Sequence, residues 1–488
     1  MIDAAPAPLI EELVPAPDPV SCCERLGGLP HRVFLDSALA SAATGRYSFL
    51  SADPIAIVRA KGDRVALESA SGTAAFSGDA LEAVSACLRP HRTRTVDGVP
   101  PFQGGAIGYV SYDWGRTLER LPEPTYDDLD LPDVAFGIYD WTLAWDHHES
   151  RAWIVSTGMP EVEPEARRRR ARERAAAVRA WLDAPRPTLR PTTMAQAGRL
   201  EAPSFPTEHP WGSRLSLRSS FTEPTYLEAI ERIRSYIVAG DVFQVNLSQR
   251  FEAALTASPW SLYTLLRSTN AAPFAAFLDL PEAAILSASP ERFLHVAPDG
   301  RVETRPVKGT RPRSEDPDED AAFAAALLAS EKDRAENLMI VDLMRNDLSR
   351  VCGPGTVGAS DLCALERYAT VHHLVSTVTG RLEADRSIAD LIRAAFPPGS
   401  VTGAPKIRAI EIITELEPSA RSVYCGTIGY WSVTGAFDGS VAIRTAICRN
   451  GRIYFSAGGG VVADSDPGQE YRETLDKARG IAAALTSA

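Results

Sequence analysis

The order of predicted strands and helices restricts the fold of this sequence more than any other feature. Short apolar or alternating runs, broken by Gly, Asp and Pro, predict strands through most of the first third of the chain. Helical periodicity marks several later stretches, and further strands recur between them. Because these stretches do not alternate regularly as strand–helix–strand units, the sequence predicts an α+β fold with largely antiparallel sheets.

The predicted elements fall into two long regions. Predicted strands of the first region occupy residues 32–36, 47–51, 55–60, 64–68, 106–112, 134–145 and 152–157. The second region contains predicted helices at residues 225–239, 321–329, 332–348, 387–395, 406–416 and 470–485, and predicted strands at residues 241–249, 284–287, 292–296, 429–431, 439–444 and 452–456. A weakly patterned, Pro-rich stretch separates them. We predict an N-terminal region over residues 1–200, a linker over 201–222 and a C-terminal region over 223–488, since 488 residues exceed one ordinary core.

Charge, cysteine content and the N-terminal sequence exclude several classes of protein. The net charge of −12 argues against a general nucleic-acid binder, although a local cationic cluster could still bind a small anion. Residues 1–20 lack the basic start and apolar core of a signal peptide, and no run of about 18 apolar residues predicts a membrane span. The seven cysteines show no Cys-x-x-Cys spacing, which predicts reduced thiols in a cytoplasmic protein.

Lys308 is a candidate nucleophile because of its position in the segment Arg305-Pro-Val-Lys-Gly-Thr-Arg-Pro312. Partial removal of an amine from water disfavours its charged form, lowers its pKa and makes a neutral nitrogen available near neutral pH. The alternative interpretation is a solvated surface charge, which is the usual state of a lysine.

Two acidic pairs on predicted helices are candidate metal ligands. Asp333 and Glu336 are spaced i,i+3, as are Glu470 and Glu473, so each pair lies on one face of its helix. Two such faces turned toward each other could hold Mg²⁺, which prefers carboxylate oxygens together with water and substrate oxygens. Surface pairs that only improve solubility are the alternative.

Two glycine-containing segments predict a pocket for an oxygen-rich anion. Residues 399–406 form a loop that enters a helix, where free backbone N–H groups favour anions, but the spacing is not that of a phosphate-binding P-loop. Residues 457–460 follow a strand, and their glycines permit close approach of a ligand to the backbone. Arg444 is predicted within a strand, where it would clamp a carboxylate or form a structural ion pair.

Several long motifs in a fixed order give the sequence a specific resemblance to the chorismate-utilising enzymes, from residue 101 to residue 485. The motifs are Asp241-Val-Phe-Gln-Val-Asn-Leu-Ser-Gln-Arg250, Ser289-Pro-Glu-Arg-Phe293, Pro306-Val-Lys-Gly-Thr310, Asp333-Arg-Ala-Glu-Asn-Leu-Met-Ile-Val-Asp-Leu-Met-Arg-Asn-Asp347, Val371-His-His-Leu-Val-Ser376, Gly399-Ser-Val-Thr-Gly-Ala-Pro-Lys406 and Ser456-Ala-Gly-Gly-Gly460. The resemblance implies sheets packed face to face, with helices on their flanks.

The resemblance also implies a Mg²⁺-dependent site for chorismate. Glu336 and Glu473 would hold the metal directly, with Asp333 and Glu470 beside it, and the metal would bind the ring carboxylate. The residues that would line the substrate site are Gln244, Gly309, Thr310, Ser400, Lys406, Tyr430, Arg444, Gly458, Gly459 and Gly460. Lys406 and Arg444 would offset the negative charge of the substrate.

Three residues would carry the chemistry that the resemblance implies. Glu291 would protonate the departing 4-hydroxyl, and His373 would lie near this leaving group. Lys308, where anthranilate synthases typically have alanine, would attack the ring and expel the hydroxyl. Ammonia would then displace the lysine to give 4-amino-4-deoxychorismate, for para-aminobenzoate and folate synthesis. Gln244 stands where water-using relatives carry a lysine base, and a glutamine cannot deprotonate water.

The resemblance further implies a partner and a second pocket. The chain has no room for a glutaminase domain, so we expect a separate glutamine amidotransferase subunit to supply ammonia. The segments around residues 34–38 and 45–49 are similar to the tryptophan pocket of the family, although Asp36 departs from the usual sequence there. The predicted pocket residues are Ser37, Arg46, Tyr47, Ser48, Phe49, Pro273 and Phe274.

Two other functions remain open from the sequence. An anthranilate synthase component I would release pyruvate and form anthranilate from the same substrate. A non-catalytic, tryptophan-binding regulatory subunit would keep the fold without turnover. Retained charged residues such as Glu336 and Lys308 argue against the second alternative, because buried charges without a function are costly.

Overall fold

Strands from both ends of the sequence build two large antiparallel sheets. The structure is a computed structural model that describes residues 7–39, 44–185, 207–210, 216–368 and 371–487. Its strands are β1 (Leu9–Leu13), β2 (Arg32–Asp36), β3 (Tyr47–Ser51), β4 (Ala56–Lys61), β5 (Arg64–Ser69), β6 (Gly72–Ser77), β7 (Gly105–Val110), β8 (Val134–Tyr139), β9 (Trp141–Asp146), β10 (Arg151–Ser156), β11 (Thr207–Pro210), β12 (Ser216–Ser219), β13 (Gln244–Ala254), β14 (Phe274–Asp279), β15 (Ala284–Ser289), β16 (Arg292–Val296), β17 (Arg301–Arg305), β18 (Val307–Pro312), β19 (Gly358–Arg367), β20 (Val371–Arg381), β21 (Gly403–Ala404), β22 (Thr427–Ser432), β23 (Phe437–Val441), β24 (Thr445–Arg449) and β25 (Arg452–Val461).

The described helices follow the predicted pattern and add several that the sequence did not indicate. They are α1 (Pro19–Arg25), α2 (Ala80–Leu88), α3 (Pro164–Asp183), α4 (Glu223–Ala239), α5 (Pro259–Thr269), α6 (Pro317–Ala329), α7 (Glu331–Ser349), α8 (Ile388–Ala395), α9 (Lys406–Leu416) and α10 (Pro467–Ser487). Short 3₁₀ turns occupy Arg89–His91, Tyr112–Thr117 and Gly399–Val401. No helix in the described ranges is long and apolar enough to cross a membrane.

The strand order mixes the two halves of the chain in both sheets. The first sheet runs β1-β10-β9-β3-β2-β14-β15-β24-β25-β13-β12-β11, with β21 paired to β13. The second runs β18-β20-β17-β16-β23-β22-β7-β8-β4-β5-β6, with β19 paired to β20. The predicted regions 1–200 and 223–488 are therefore stretches of sequence that do not form separate sheets. Within the predicted linker, the structure describes the short strands β11 and β12, while residues 201–206 and 211–215 lie outside the described ranges.

Four apolar clusters show how the layers stack. One joins side chains of the first sheet, such as Ile285, to side chains of the second, such as Ile107, so the sheets pack face to face as predicted. A second cluster packs α2, α7 and α8 on the other face of the second sheet. The remaining clusters pack α1, α3, α5 and α10, and then α4 and α9, against the first sheet. The α+β prediction with flanking helices is confirmed.

Local sequence signals position the two acidic helices. Ser330 caps α7, because its hydroxyl accepts the backbone N–H of Asp333 at 3.2 Å. The helix α7 packs on β18 and β20, and α10 packs on β25. Both predicted acidic pairs therefore stand on helices that lie directly against β18, which carries Lys308, and β25, which carries Gly458, Gly459 and Gly460, here called the glycine triplet.

Candidate active site

Lys308 extends from β18 toward the glycine triplet of β25. Its side chain is half-buried, and its Nζ lies 3.4 Å from the position that a Cβ on Gly460 would occupy. The neighbouring Gly309 has a φ of +84°, which favours glycine, and a Cβ there would meet Asp333 at 3.0 Å. The Lys308 amine therefore lies in a small space at the end of β25, which stays open because the residues there are glycines.

The glycine triplet brings β25 unusually close to neighbouring groups. A Cβ on Gly458 would come within 2.4 Å of the carbonyl oxygen of Leu247. A Cβ on Gly459 would meet Glu470 Oε2 at 3.0 Å, while one on Gly460 would overlap Gln244 Nε2 at 1.9 Å. Because neighbouring residues of a strand face opposite sides, Gly459 lies against α10 and Gly460 against Lys308 and Gln244.

Gln244 presents a buried amide without a protein partner. The residue is 1% exposed, and neither Nε2 nor Oε1 finds a hydrogen-bond partner among the described residues. A buried amide without such a partner is energetically costly, so the position favours a ligand that supplies one. The amide is neutral and lies beside the Lys308 amine, as both flank Gly460.

Glu291 has a buried carboxyl group that lies close enough to Lys308 to feel its charge. Burial raises its pKa from 4.5 to about 7, against the lowering effects of the Ser400 hydroxyl, the Lys308 charge and the backbone N–H of Val307. The Val307 N–H lies 3.5 Å from Oε1. A carboxyl group with this pKa carries a proton in a large fraction of molecules near neutral pH, as a general acid requires.

His373 is a buried imidazole next to the lysine strand. Thr310 Oγ1 and His373 Nδ1 lie 2.9 Å apart, whereas Nε2 has no partner among the described residues. Burial, together with the nearby charge of Arg444, lowers the pKa of His373 to about 3. The ring is therefore neutral at physiological pH. It can hydrogen-bond a leaving oxygen without adding positive charge.

Arg444 lies in the turn between β23 and β24, not inside a strand as predicted. Its φ of +49° is a left-handed conformation that non-glycine residues seldom adopt. Burial lowers the pKa of its guanidinium, and the described residues offer it no ion pair. Of the two predicted roles, the structural ion pair is thus absent from the described structure, which leaves the guanidinium free to bind a carboxylate.

The four predicted metal ligands stand on α7 and α10, whose acidic faces approach each other. Burial raises the pKa values of Glu336 and Glu470, and each also feels another carboxylate: Asp333 and Glu470 act on Glu336, and Glu473 acts on Glu470. The charge of Lys308 opposes the shift at Glu336. The acidic faces of α7 and α10 therefore share one electrostatic environment with the candidate nucleophile.

Cationic side chains balance this acidic group. Lys332 Nζ lies 3.5 Å from Glu470, and Lys477 Nζ lies 2.6 Å from Glu473. Neither lysine was predicted from the sequence. Lys332 precedes Glu336 by four residues and Lys477 follows Glu473 by four, and both are helical spacings. The chain has only five lysines, and three of them, including Lys308, surround these carboxylates.

The carboxylates fit a magnesium ion by donor type and charge. No group of three or more His, Cys, Asp or Glu with ligand geometry occurs in the described part of the chain. Mg²⁺ does not require one, because it usually takes one or two protein carboxylates and fills its shell with water and substrate oxygens. Glu336 and Glu473 would supply such oxygens. Burial raises the pKa of Glu470, the charge of Glu473 adds to this shift, and a divalent cation would relieve the repulsion between the two carboxylates.

A family model described as a chorismate binding enzyme matches residues 35–483, which include every site residue described above. The chain belongs to the chorismate-binding enzyme family. The match spans both sheets, so the family assignment applies to the whole fold.

Relatives within the chorismate-binding family carry two different names. Aminodeoxychorismate synthase component 1 of Klebsiella aerogenes is 42% identical over 95% of this chain and 95% of its own. Anthranilate synthase component 1 of Mycolicibacterium smegmatis is 40% identical over 96% of this chain and 88% of its own. A crystal structure of anthranilate synthase component I from Streptococcus pneumoniae aligns with a TM-score of 0.75 at 32% identity, covering 91% of this chain and 93% of that one.

Two predicted substrate residues of this chorismate-binding protein, Lys406 and Tyr430, have their main contacts with other parts of the protein. Lys406 Nζ binds Asp347 at 2.7 Å and the carbonyl oxygen of Ala395 at 2.8 Å. Its charge is therefore balanced by a buried ion pair with Asp347, and its predicted role in offsetting the charge of the substrate stays a prediction. The ring of Tyr430 packs against Phe49 and Phe102, with centroids 5.3 and 5.1 Å away, in a separate cavity.

That cavity contains most of the predicted tryptophan pocket. Its volume is about 420 Å³, and its lining includes Ser37, Arg46, Tyr47, Phe49, Pro273, Phe274 and Tyr430. Ser48 does not line it, because β3 alternates and turns this side chain the other way, where its hydroxyl accepts the backbone N–H of Ser37 at 2.9 Å. Residues 40–43 lie outside the described ranges.

Arg292, which was not predicted from the sequence, connects the cavity to the acid of the site. Arg292 lines the cavity and forms an ion pair with Asp438 at 2.9 Å, whereas its neighbour Glu291 is buried in the catalytic group. Alternation within the motif Ser289-Pro-Glu-Arg-Phe293 could have indicated this arrangement. The two sites thus share one short segment of backbone.

Proposed function

We propose that this chain replaces the 4-hydroxyl of chorismate with ammonia and forms 4-amino-4-deoxychorismate, which supplies the synthesis of para-aminobenzoate and folate. The observation that carries the proposal is the position of the Lys308 amine beside Gly460, Gln244 and the carboxylates of Glu291 and Glu336. The relatives named aminodeoxychorismate synthase component 1 support it.

In the first step, the side-chain nitrogen of Lys308 forms a bond to a ring carbon as the bond between C4 and its hydroxyl breaks. Glu291 donates its proton to that oxygen, so that water leaves in place of hydroxide. The pKa of about 7 suits this task, since a lower value would leave too few protonated molecules near neutral pH. The neutral imidazole of His373 hydrogen-bonds the leaving oxygen.

In the second step, ammonia forms a bond to C4 and the bond between the ring and Lys308 breaks. The net reaction consumes chorismate and ammonia and releases 4-amino-4-deoxychorismate and water, with the enolpyruvyl group retained. Gln244 supports ammonia as nucleophile over water, because its buried amide can accept a hydrogen bond from ammonia but cannot take a proton from water.

Substrate binding relies on charges of both signs. Arg444 binds a carboxylate of chorismate with its free guanidinium. Glu336 and Glu473 would hold Mg²⁺, with Glu470 and Asp333 beside them. Such an ion would supply positive charge to offset the ring carboxylate of the substrate. Thr310, Ser400 and the glycines of β25 complete the wall of the site, where the absence of side chains leaves room for the ring.

Ammonia comes from a separate glutamine amidotransferase subunit, to which the words "component 1" in the relatives' names also point. The cavity that Tyr430 lines binds tryptophan, whose indole would contact Phe49 and Pro273 while its charged groups face polar side chains such as Ser37.

Product identification tests the proposal directly. The purified chain is incubated with chorismate, Mg²⁺ and ammonium, and the products are separated by liquid chromatography and mass spectrometry. We expect 4-amino-4-deoxychorismate and no pyruvate. Anthranilate and pyruvate would instead establish the alternative that the 40% identical Mycolicibacterium relative favours.

The Lys308→Ala variant tests the covalent role. It should lose product formation while it still binds chorismate in the presence of Mg²⁺, because the acidic helices and Arg444 are unchanged. Lys332→Ala is the matched control: it removes another lysine of the same charged group, which has no place in the covalent step. A Lys308→Ala enzyme with normal turnover would remove the covalent step from the mechanism.

A further inference from the structure

Three exposed apolar side chains stand on chain segments that meet just outside the active site. Val238 is 83% exposed near the end of α4, Phe243 is 71% exposed in the turn that follows, and Ile407 is 41% exposed in the first turn of α9. The backbone N–H of Phe243 donates to the carbonyl oxygen of Ala404 at 2.7 Å, which fixes the turn against the start of α9. We call these three residues the apolar patch.

Charged residues of both signs surround the apolar patch. Arg408 forms ion pairs with Asp241 at 3.3 Å and Glu411 at 2.9 Å, and its guanidinium lies 5.2 Å from the ring centroid of Tyr236. Glu415 accepts a hydrogen bond from the hydroxyl of Tyr236 at 2.9 Å. An exposed apolar centre with a mixed polar rim is the usual composition of a protein–protein interface.

The same two chain segments build the apolar patch and a wall of the active site. Phe243 directly precedes Gln244, whose unpartnered amide lies beside Lys308. Ile407 follows the loop that carries Ser400, the hydroxyl that acts on Glu291. The strand β21, between Ser400 and Ile407, pairs with the start of β13. A protein bound on the apolar patch would therefore lie against the backbone that positions Gln244, where we propose that ammonia binds.

Most of the chain's own cysteines are poorly suited to release ammonia from glutamine. All seven are free thiols, and burial raises the pKa of six of them, to about 12 for Cys22, Cys23 and Cys425, whereas such a reaction needs a thiolate. Ammonia that crossed bulk solvent would be protonated and diluted. The donor subunit therefore has to bind where its product can pass directly to Gln244.

We propose that the apolar patch of Val238, Phe243 and Ile407 is the docking surface for the ammonia-supplying glutamine amidotransferase subunit. This inference rests on the proposed function for its choice of partner. Phe243 forms the centre of the contact, where a buried aromatic side chain contributes most to affinity, and the surrounding charges provide orientation.

The test compares glutamine and ammonium as nitrogen sources for charge-insertion variants. Phe243→Glu and Val238→Glu are purified and mixed with the glutamine amidotransferase subunit from the same source as this chain. Complex formation is measured by sedimentation velocity, and chorismate consumption is measured with each nitrogen source. We expect at least about tenfold weaker association and a matching loss of glutamine-dependent turnover, since burying an unpaired carboxylate at an interface centre is strongly unfavourable. Ammonium-dependent turnover should remain within twofold of the unmodified chain.

Val162→Glu is the matched control, because Val162 is 62% exposed before α3 and remote in sequence from the patch. It should associate and turn over normally. Normal association of both patch variants would overturn the docking proposal, as would equal loss in the control. If Phe243→Glu also lost ammonium-dependent turnover, the result for Val238→Glu would decide. A wrong product from ammonium would refute the proposed function alone, because sedimentation still reports whether the patch binds the subunit.

Discussion

Replacing Glu291 with glutamine should make the protein more stable at alkaline pH while it abolishes catalysis. The folded-state pKa of Glu291 is raised to about 7, above the ordinary value of 4.5. The folded protein therefore binds this proton more tightly than the unfolded chain. The resulting contribution to stability is fully present below pH 4.5 and is lost as the pH rises through about 7.

The magnitude follows from these two pKa values. At about 1.4 kcal/mol for each pKa unit, the difference corresponds to roughly 3 kcal/mol between pH 4.5 and pH 8. Glutamine has nearly the same shape, still accepts a hydrogen bond from the Val307 N–H and never ionises. With an unfolding entropy of about 2 cal/mol/K per residue over 488 residues, the Glu291→Gln protein should melt roughly 3 °C above the unmodified protein at pH 8.

Thermal melting of both proteins at pH 5 and pH 8 measures this effect. The difference in melting temperature should be near zero at pH 5 and positive at pH 8, and the variant should form no product at either pH. Glu161→Gln, at an exposed position, should show no such pH dependence. The reasoning would be refuted by a melting difference that is the same at both pH values, because burial of the ionised carboxylate would then not be its cause.

Three further results are expected. The kcat/KM of the unmodified enzyme for chorismate with ammonium should fall as the pH rises through about 7, since Glu291 then loses the proton it donates; a rate flat from pH 6 to pH 8 would contradict its role as acid. Lys406→Met should destabilise the protein by about 3–5 kcal/mol in chemical denaturation, because it leaves the buried Asp347 carboxylate unpaired, with little change in the KM for chorismate. Tyr430→Ala should weaken tryptophan binding at least tenfold by calorimetry while the KM for chorismate stays within twofold, because its ring lines the cavity and not the catalytic group.

Elements with a clear local period were predictable from the sequence. The predicted strands at 32–36 and 47–51 and the predicted helix at 406–416 have the bounds of β2, β3 and α9. The predicted strand at 134–145 is two strands, β8 and β9, separated at Asp140. Both are buried along their whole length, so no change of period marks the break. The exposed strand β6 was missed for the opposite reason, since it has no buried face.

The site was predictable where a motif fixes the position of a side chain, but not where a distant residue decides its partner. Lys308, Gln244 and Gly460, each within a recognised motif, lie together in the structure. The ion pair between Lys406 and Asp347 depends on how α7 packs near the loop before α9, which no local pattern encodes. The face of the second sheet on which Tyr430 lies depends on the register of β22 with β7 and β23, which the sequence around Tyr430 alone could not reveal.

The interleaving of strands from both halves of the chain has a consequence for folding and for cleavage. The strand β2 pairs with β14, and β7 pairs with β22, so each sheet closes only after most of the polypeptide is available. Such non-local pairing slows folding and leaves strand edges open during synthesis. Once formed, the same pairing should hold the molecule together after proteolytic cleavage between β11 and β12. The two fragments should then elute together in size-exclusion chromatography.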